Sequence, residues 1–203
     1  MIKELASKPF FPKKLIKKIN KLKPLTGGEW DSRKKDVLEF KSLLKKQLLV
    51  IQDGKCAYCG LCLQETSRVE IEHIAPKGGK KLPQHTELAF TILNLVLACN
   101  LCNCTEKKGT YDTINTKNEN YLLNDFYIVH PYLDDHSLHY QWSSNEQGDI
   151  LIQAKSAKGS KSIELFELDS SYLTQARVKQ NLHEQVKLLP EAHLILAASA
   201  YRC

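Results

Sequence analysis

The 203-residue chain is 42% hydrophobic and 26% charged, enough apolar content for a packed core and too much for a disordered chain. No apolar run reaches the roughly 18–20 residues of a membrane-spanning helix, and Met1-Ile2-Lys3-Glu4-Leu5 lacks the apolar stretch of a signal peptide, so a cytoplasmic protein is expected. The formal charge of +6 is uneven: residues 1–50 carry 14 Lys/Arg against five Asp/Glu, and the remainder 15 against 18. A basic N-terminal third suits contact with phosphates, or is a solvated lysine face; charge alone does not choose.

In chain order, residues 1–24 read as a basic tail with a short helix over Lys13–Ile19. Leu25-Thr26-Gly27-Gly28 is a turn. Asp31 or Ser32 can cap a helix running to about Gln52, with Val37, Leu38, Leu43, Leu44, Leu48, Leu49 and Ile51 at helical spacing. Asp53-Gly54 ends it. Val69-Glu70-Ile71-Glu72-His73-Ile74 alternates as a strand does, and Asn94–Ala98 is a second short strand or extended segment. Residues 76–83 form a Lys/Gly-rich loop. Asn100–Lys108 reads as a helix stopped by Gly109. Residues 111–148 are irregular and polar, 149–154 suggest a strand, and a mostly helical tail begins at Ser160, with breaks near Asp169 and Pro190.

Seven cysteines, an odd number, argue against a disulfide framework in a reducing compartment. Two pairs share one spacing, Cys56-Ala57-Tyr58-Cys59 and Cys99-Asn100-Leu101-Cys102. Two C-x2-C pairs joined by a long loop suit tetrahedral Zn²⁺ held by four thiolates. Cys62 and Cys104 lie close enough to substitute in another ligand set, whereas terminal Cys203 reads as an ordinary thiol.

Between the pairs lie Glu72-His73 with Pro76-Lys77, then Asn94 before the second pair. Asn103 follows that pair at once, and Lys107-Lys108-Gly109 closes the block. Over residues 55–110 this resembles the HNH nucleases. The chemistry needs such residue types. A neutral imidazole, His73, can take a proton from water near pH 7. Glu72 and the Asn103 amide supply hard oxygens for Mg²⁺ or Mn²⁺. Lys107, four residues after Asn103 on one helix face, can reach the phosphate. The resemblance implies a mainly structural Asn94, holding the loop that presents His73. Glu72 stands where many members have Asp or His, and Asn103 makes this an H-N-N variant. Taken singly, each residue also has a plain structural reading.

The resemblance extends to the HNH subunits of Septu-type anti-phage systems, the PtuB-like proteins also found with retrons. It is carried by Cys56–Cys59, Ile71-Glu72-His73, Pro76-Lys77 and Lys107-Lys108-Gly109. Further on it rests on His130-Pro131-Tyr132-Leu133-Asp134-Asp135, Gly148-Asp149-Ile150, Ser162–Leu168 and Ala176-Arg177. It implies a partner ATPase of the PtuA-like kind. The expected fold is α+β: a ββα-metal core with a zinc knuckle (55–110), a basic helical N-terminal region (1–54) and a mostly helical C-terminal region (111–203). The expected function is metal-dependent endonucleolytic hydrolysis of nucleic acid, DNA before RNA. A non-catalytic zinc adaptor binding nucleic acid or protein is the competing class.

Overall fold

The computed structural model describes residues 2–64, 67–143 and 150–199. Helix α1 spans Lys13–Asn20 and buries Leu15 and Ile19. Helix α2 spans Lys35–Ile51 and buries Val37, Phe40, Leu44 and Leu48, a 3–4 stripe. Leu38, expected on that face, points to solvent with 51% exposure. The expected cap at Asp31 or Ser32 also fails, because those groups bond elsewhere. Asp31 closes a 3₁₀ turn over Glu29–Asp31 and pairs with Lys77, while the Ser32 hydroxyl accepts the Lys34 N–H at 3.2 Å. The helix therefore starts at Lys35 with no side-chain cap.

The centre is an antiparallel hairpin of β1 (Val69–His73) and β2 (Leu95–Cys99), in register from Val69 opposite Cys99 to His73 opposite Leu95. Every residue of β2 is buried, so its edge needs partners other than water. Gln52, just past α2, supplies them. Its Oε1 accepts the Leu97 N–H at 2.7 Å and its Nε2 donates to the Leu97 carbonyl at 2.8 Å, as a neighbouring strand would. The Ala57 N–H adds a second bond to that carbonyl at 3.0 Å.

The hairpin is followed by a helix, α3, that is one turn long, Asn100–Asn103. The expected continuation to Lys108 is absent; residues 104–110 are turns that close on Gly109. The polar stretch after it contains short elements: β3 (Ile114–Thr116) with β4 (Asp125–Phe126), α4 (His136–His139), and β5 (Tyr140–Trp142) with β6 (Ile152–Ala154). Gly148 and Asp149 lie outside the described residues, as does Cys203.

Helices α5 (Ala157–Phe166), α6 (Ser171–Val186) and α7 (Ala192–Ser199) follow, with breaks where Asp169 and Pro190 suggested them. Ser156 caps α5 by accepting the Gly159 N–H, which starts the helix three residues before Ser160. One buried apolar cluster takes in residues from the N-terminal helices, the hairpin and α5–α6. No helix among the described residues is long and apolar enough to cross a membrane.

Candidate functional site

The turn after α2 and the end of β2 bring four thiols together. The sulfurs of Cys56, Cys59, Cys99 and Cys102 all lie within 4.8 Å of one another, and all four residues are buried. Four sulfurs at about 2.3 Å from a tetrahedral zinc ion would be about 3.8 Å apart, and the Cys59–Cys99 separation is 3.8 Å. Hydrogen bonds from Cys102, Cys56 and Cys59 pull the Cys99 thiol far below its ordinary pKa. The same crowding by Cys56, Cys59 and Cys99, together with burial, pushes Cys102 well up. Four thiols in one apolar nest cannot all ionise without a cation, so the donor set fits a soft divalent ion. Cys62 and Cys104 stand outside the group, and Cys104 donates to the Leu101 carbonyl instead.

The knuckle is tied to the C-terminal helices. Tyr58 stacks on Phe166 with ring centroids 4.2 Å apart, and Gln180 bridges the Gly60 carbonyl and the Cys62 N–H. Arg177, from the Ala176-Arg177 motif, is buried and holds the Ile150 and Leu168 carbonyls.

Beside the knuckle, an open cleft of about 290 Å³ is lined by Glu72, His73, Asn103, Lys77, Trp30 and Asp31 among others. His73 ends β1 and is buried. Its Nε2 lies 3.1 Å from the Ala89 carbonyl, which can only accept, so Nε2 carries the proton and Nδ1 keeps its lone pair. The Trp30 ring meets the imidazole edge-on at 4.5 Å. Burial pushes the His73 pKa down to about 3; the Ala89 bond opposes this, and the Lys77, Lys108 and Lys41 ammonium groups add to it. The ring is therefore neutral at physiological pH.

Glu72 precedes it at the strand end and lines the same cleft; burial raises its pKa against the pull of Lys108. The fully buried Lys108 brings Nζ to 3.0 Å from Glu72 Oε1. The two atoms are in ionic contact but not aligned for a hydrogen bond, and neither has another bond among the described residues. Glu70 shares the Glu72 face, and its Oε2 accepts the Asn103 Nδ2–H at 2.9 Å. That bond fixes the Asn103 amide and leaves its oxygen free of this contact. A carboxylate and an amide oxygen on one cleft fit a hard cation that takes its other ligands from water and phosphate.

Two expected residues lie away from the cleft wall. Lys107 is not among the residues lining it. Its ammonium bonds the Phe166 carbonyl and the Tyr172 hydroxyl and pairs with Glu167. The reason is the short α3: beyond Asn103 helical spacing no longer applies, and the lysine facing Glu72 is Lys108. Asn94, fully buried, clasps the chain after His73. Its Oδ1 accepts the Ala75 N–H at 2.7 Å, its Nδ2 donates to the Ala75 carbonyl at 3.0 Å, and its own carbonyl accepts the Ile74 N–H at 2.9 Å. Sequence reasoning missed Lys108, Glu70, Trp30 and Asp31. Only Glu70 had a local signal, the period of two that puts it beside Glu72.

Fold and cleft together define a protein of helices and small sheets, with a tetracysteine cluster able to hold a metal ion beside a glutamate–histidine–asparagine cleft. No family model matches the chain. Two curated proteins do align with it. Septu protein PtuB of Bacillus mycoides (strain KBAB4) is 32% identical over 152 residues, taking in 68% of this chain and 50% of that protein. Septu protein PtuB of Bacillus thuringiensis is 29% identical over 130 residues, 64% of this chain and 42% of that protein. The chain is PtuB-like over about two-thirds of its length, and it spans about half the length of the curated relatives it matches.

Proposed function

We propose that the chain is a divalent-metal-dependent HNH-type endonuclease, the nuclease effector of a Septu-type anti-phage system. Residues 55–110 form its ββα-metal catalytic core. The observation that carries this reading is the convergence of Glu72, His73 and Asn103 on one cleft, with His73 neutral and its Nδ1 unprotonated. Mg²⁺ or Mn²⁺ held by Glu72 and Asn103 would offset negative charge on the scissile phosphate. His73 takes the proton of the attacking water. Trp30 and the Ala89 carbonyl hold the imidazole edge and tautomer. Lys41 and Lys77, close enough to act on the His73 charge, favour a polyanion at the mouth. Zn²⁺ on the four cysteines is structural. The substrate is nucleic acid, DNA before RNA. A PtuA-like ATPase docks outside residues 55–110, where Leu182, Leu188 and Leu189 are exposed.

One observation favours the zinc-adaptor alternative: Glu72 and Asn103 already have protein partners, Lys108 and Glu70. Cleavage of plasmid and of RNA with Mg²⁺, Mn²⁺ or EDTA separates the two. His73→Ala should keep zinc and nucleic-acid affinity while cleavage falls about 10²–10⁴-fold. Glu72→Ala should be partly rescued by excess Mn²⁺, and His73→Ala should not. Wild-type cleavage by His73→Ala would leave the adaptor as the reading.

A further inference from the structure

The His130-Pro131-Tyr132 segment lies 57 or more residues beyond His73 in sequence, yet its polar groups run to the strand end that holds His73. His130 is fully buried. Its Nδ1 accepts the Tyr132 N–H at 3.1 Å, so in the neutral ring Nε2 carries the proton and donates to the Tyr121 hydroxyl at 2.9 Å. Burial, which pushes the His130 pKa down to about 3, keeps the ring neutral. The Tyr121 hydroxyl in turn faces Asn94 Oδ1 at 3.1 Å and the Leu93 carbonyl at 3.2 Å. Asn94 Oδ1 is the atom that accepts the Ala75 N–H. From the same segment, the Tyr132 hydroxyl donates to the carbonyl of Leu95 at 2.9 Å, and Leu95 is the residue opposite His73 in the hairpin.

The direction of donation matters. An Asn amide can present either end, and the Ala75 N–H needs the oxygen. A hydroxyl on the same side, its one proton shared between Asn94 Oδ1 and the Leu93 carbonyl, favours the oxygen there, and His130 fills the hydroxyl's acceptor side. With Thr113 Oγ1 donating to the Ile74 carbonyl at 2.6 Å, all four backbone polar groups of Ile74 and Ala75 are bonded. The chain leaving His73 is held on every polar group, three of them by Asn94 and one by Thr113.

We infer that Tyr121, His130 and Tyr132 are positioning residues for the His73 site, a buried brace that sets Asn94 and Leu95 and through them the imidazole. This rests on the reading of His73 as general base. It also gives the His130-Pro131-Tyr132 motif a role in that site, which composition and spacing did not.

The test uses the full chain. Tyr121→Phe and Tyr132→Phe each remove one hydroxyl and keep the ring. Tyr140→Phe is the control: Tyr140 is as buried as Tyr121, but its ring meets His136 rather than Asn94 or Leu95. All three should lower the melting temperature by similar amounts. Only the first two should cut kcat, by about tenfold, with KM for the nucleic acid unchanged, since a small displacement of a base acts on the chemical step. Amide exchange at Ala75 should speed up in Tyr121→Phe and not in Tyr140→Phe. A Tyr121→Phe protein with lower melting temperature but wild-type kcat and Ala75 exchange overturns the inference. Should even the wild-type chain fail to cleave, the nuclease reading falls separately, and Ala75 exchange still decides whether the brace holds that loop.

Discussion

Gln52→Ala should be among the most damaging substitutions outside the cysteines. The side chain is 5% exposed and makes three bonds: from the Leu97 N–H at 2.7 Å, to the Leu97 carbonyl at 2.8 Å and to the Lys55 carbonyl at 2.8 Å. Truncation leaves the Leu97 N–H buried without a partner, which costs about 1–3 kcal/mol, while the carbonyls fall back on Ala57 and on water at about 1 kcal/mol or less each. The total comes to about 1–5 kcal/mol, most of it from the orphaned N–H, or a melting shift of roughly 2–20 °C in a chain of this size. Gln47 provides the matched control. It makes the same two-way pairing with Phe10, to the N–H at 2.8 Å and the carbonyl at 2.7 Å, but in an exposed setting. Gln47→Ala should cost under about 1 kcal/mol, because water replaces what is lost. Urea unfolding of both variants, compared at constant m, is the assay. Equal losses for the two would refute the argument that burial of the Leu97 edge sets the penalty.

Cys99→Ser should abolish stoichiometric zinc in elemental analysis and loosen α6, which is stapled to the knuckle through Gln180, whereas Cys62→Ser and Cys104→Ser should retain it; a full zinc equivalent in Cys99→Ser with unchanged melting would refute the ligand set. Stability should also fall with acid before carboxylates titrate. His73 and His130 are both held near a pKa of about 3 by burial, against 6.5 unfolded, so the unfolded chain binds more protons between those values. Their contribution is complete above pH 6.5 and is lost as pH drops toward 3, about 2 kcal/mol per histidine by pH 5. Urea midpoints at pH 7.5 and 5 measure it, and a flat profile would contradict the buried neutral rings.

What the sequence made legible was what short-range periodicity encodes. The alternation of Val69–His73 gave β1, the C-x2-C spacing gave the thiol cluster with its register, and the stripe from Val37 to Leu48 gave α2. Several failures share a cause: a polar side chain took a partner other than the one the helix rule assigned. Asp31 went to Lys77 and Ser32 to a local turn, so neither caps α2. Lys107 went to Phe166, Tyr172 and Glu167, far along the chain, and left Lys108 for Glu72. Trp30 had no local pattern at all, since it meets His73 from more than forty positions away, and His130 meets Tyr121 across a turn that periodicity does not reveal.

Among the described residues, buried polar groups fall into those with bonded partners and those without. Gln52, Asn94 and His130 satisfy their partners at 2.7–3.1 Å, as a core requires of buried polar groups. Glu72 and Lys108 do not. They sit in contact without alignment, the lysine wholly buried, at the cleft. A buried ion pair of that quality contributes little net stability, because desolvation offsets the attraction. If the pair served only the fold, apolar side chains of similar volume would serve it as well or better. A carboxylate kept beside a cation on the wall of an open cleft, next to a neutral histidine with a free lone pair, is an arrangement that folding alone does not favour. Unbonded buried groups also occur away from the cleft, at Tyr58, His136 and Ser170, so what sets this pair apart is its place beside His73 and Asn103 rather than its lack of bonds.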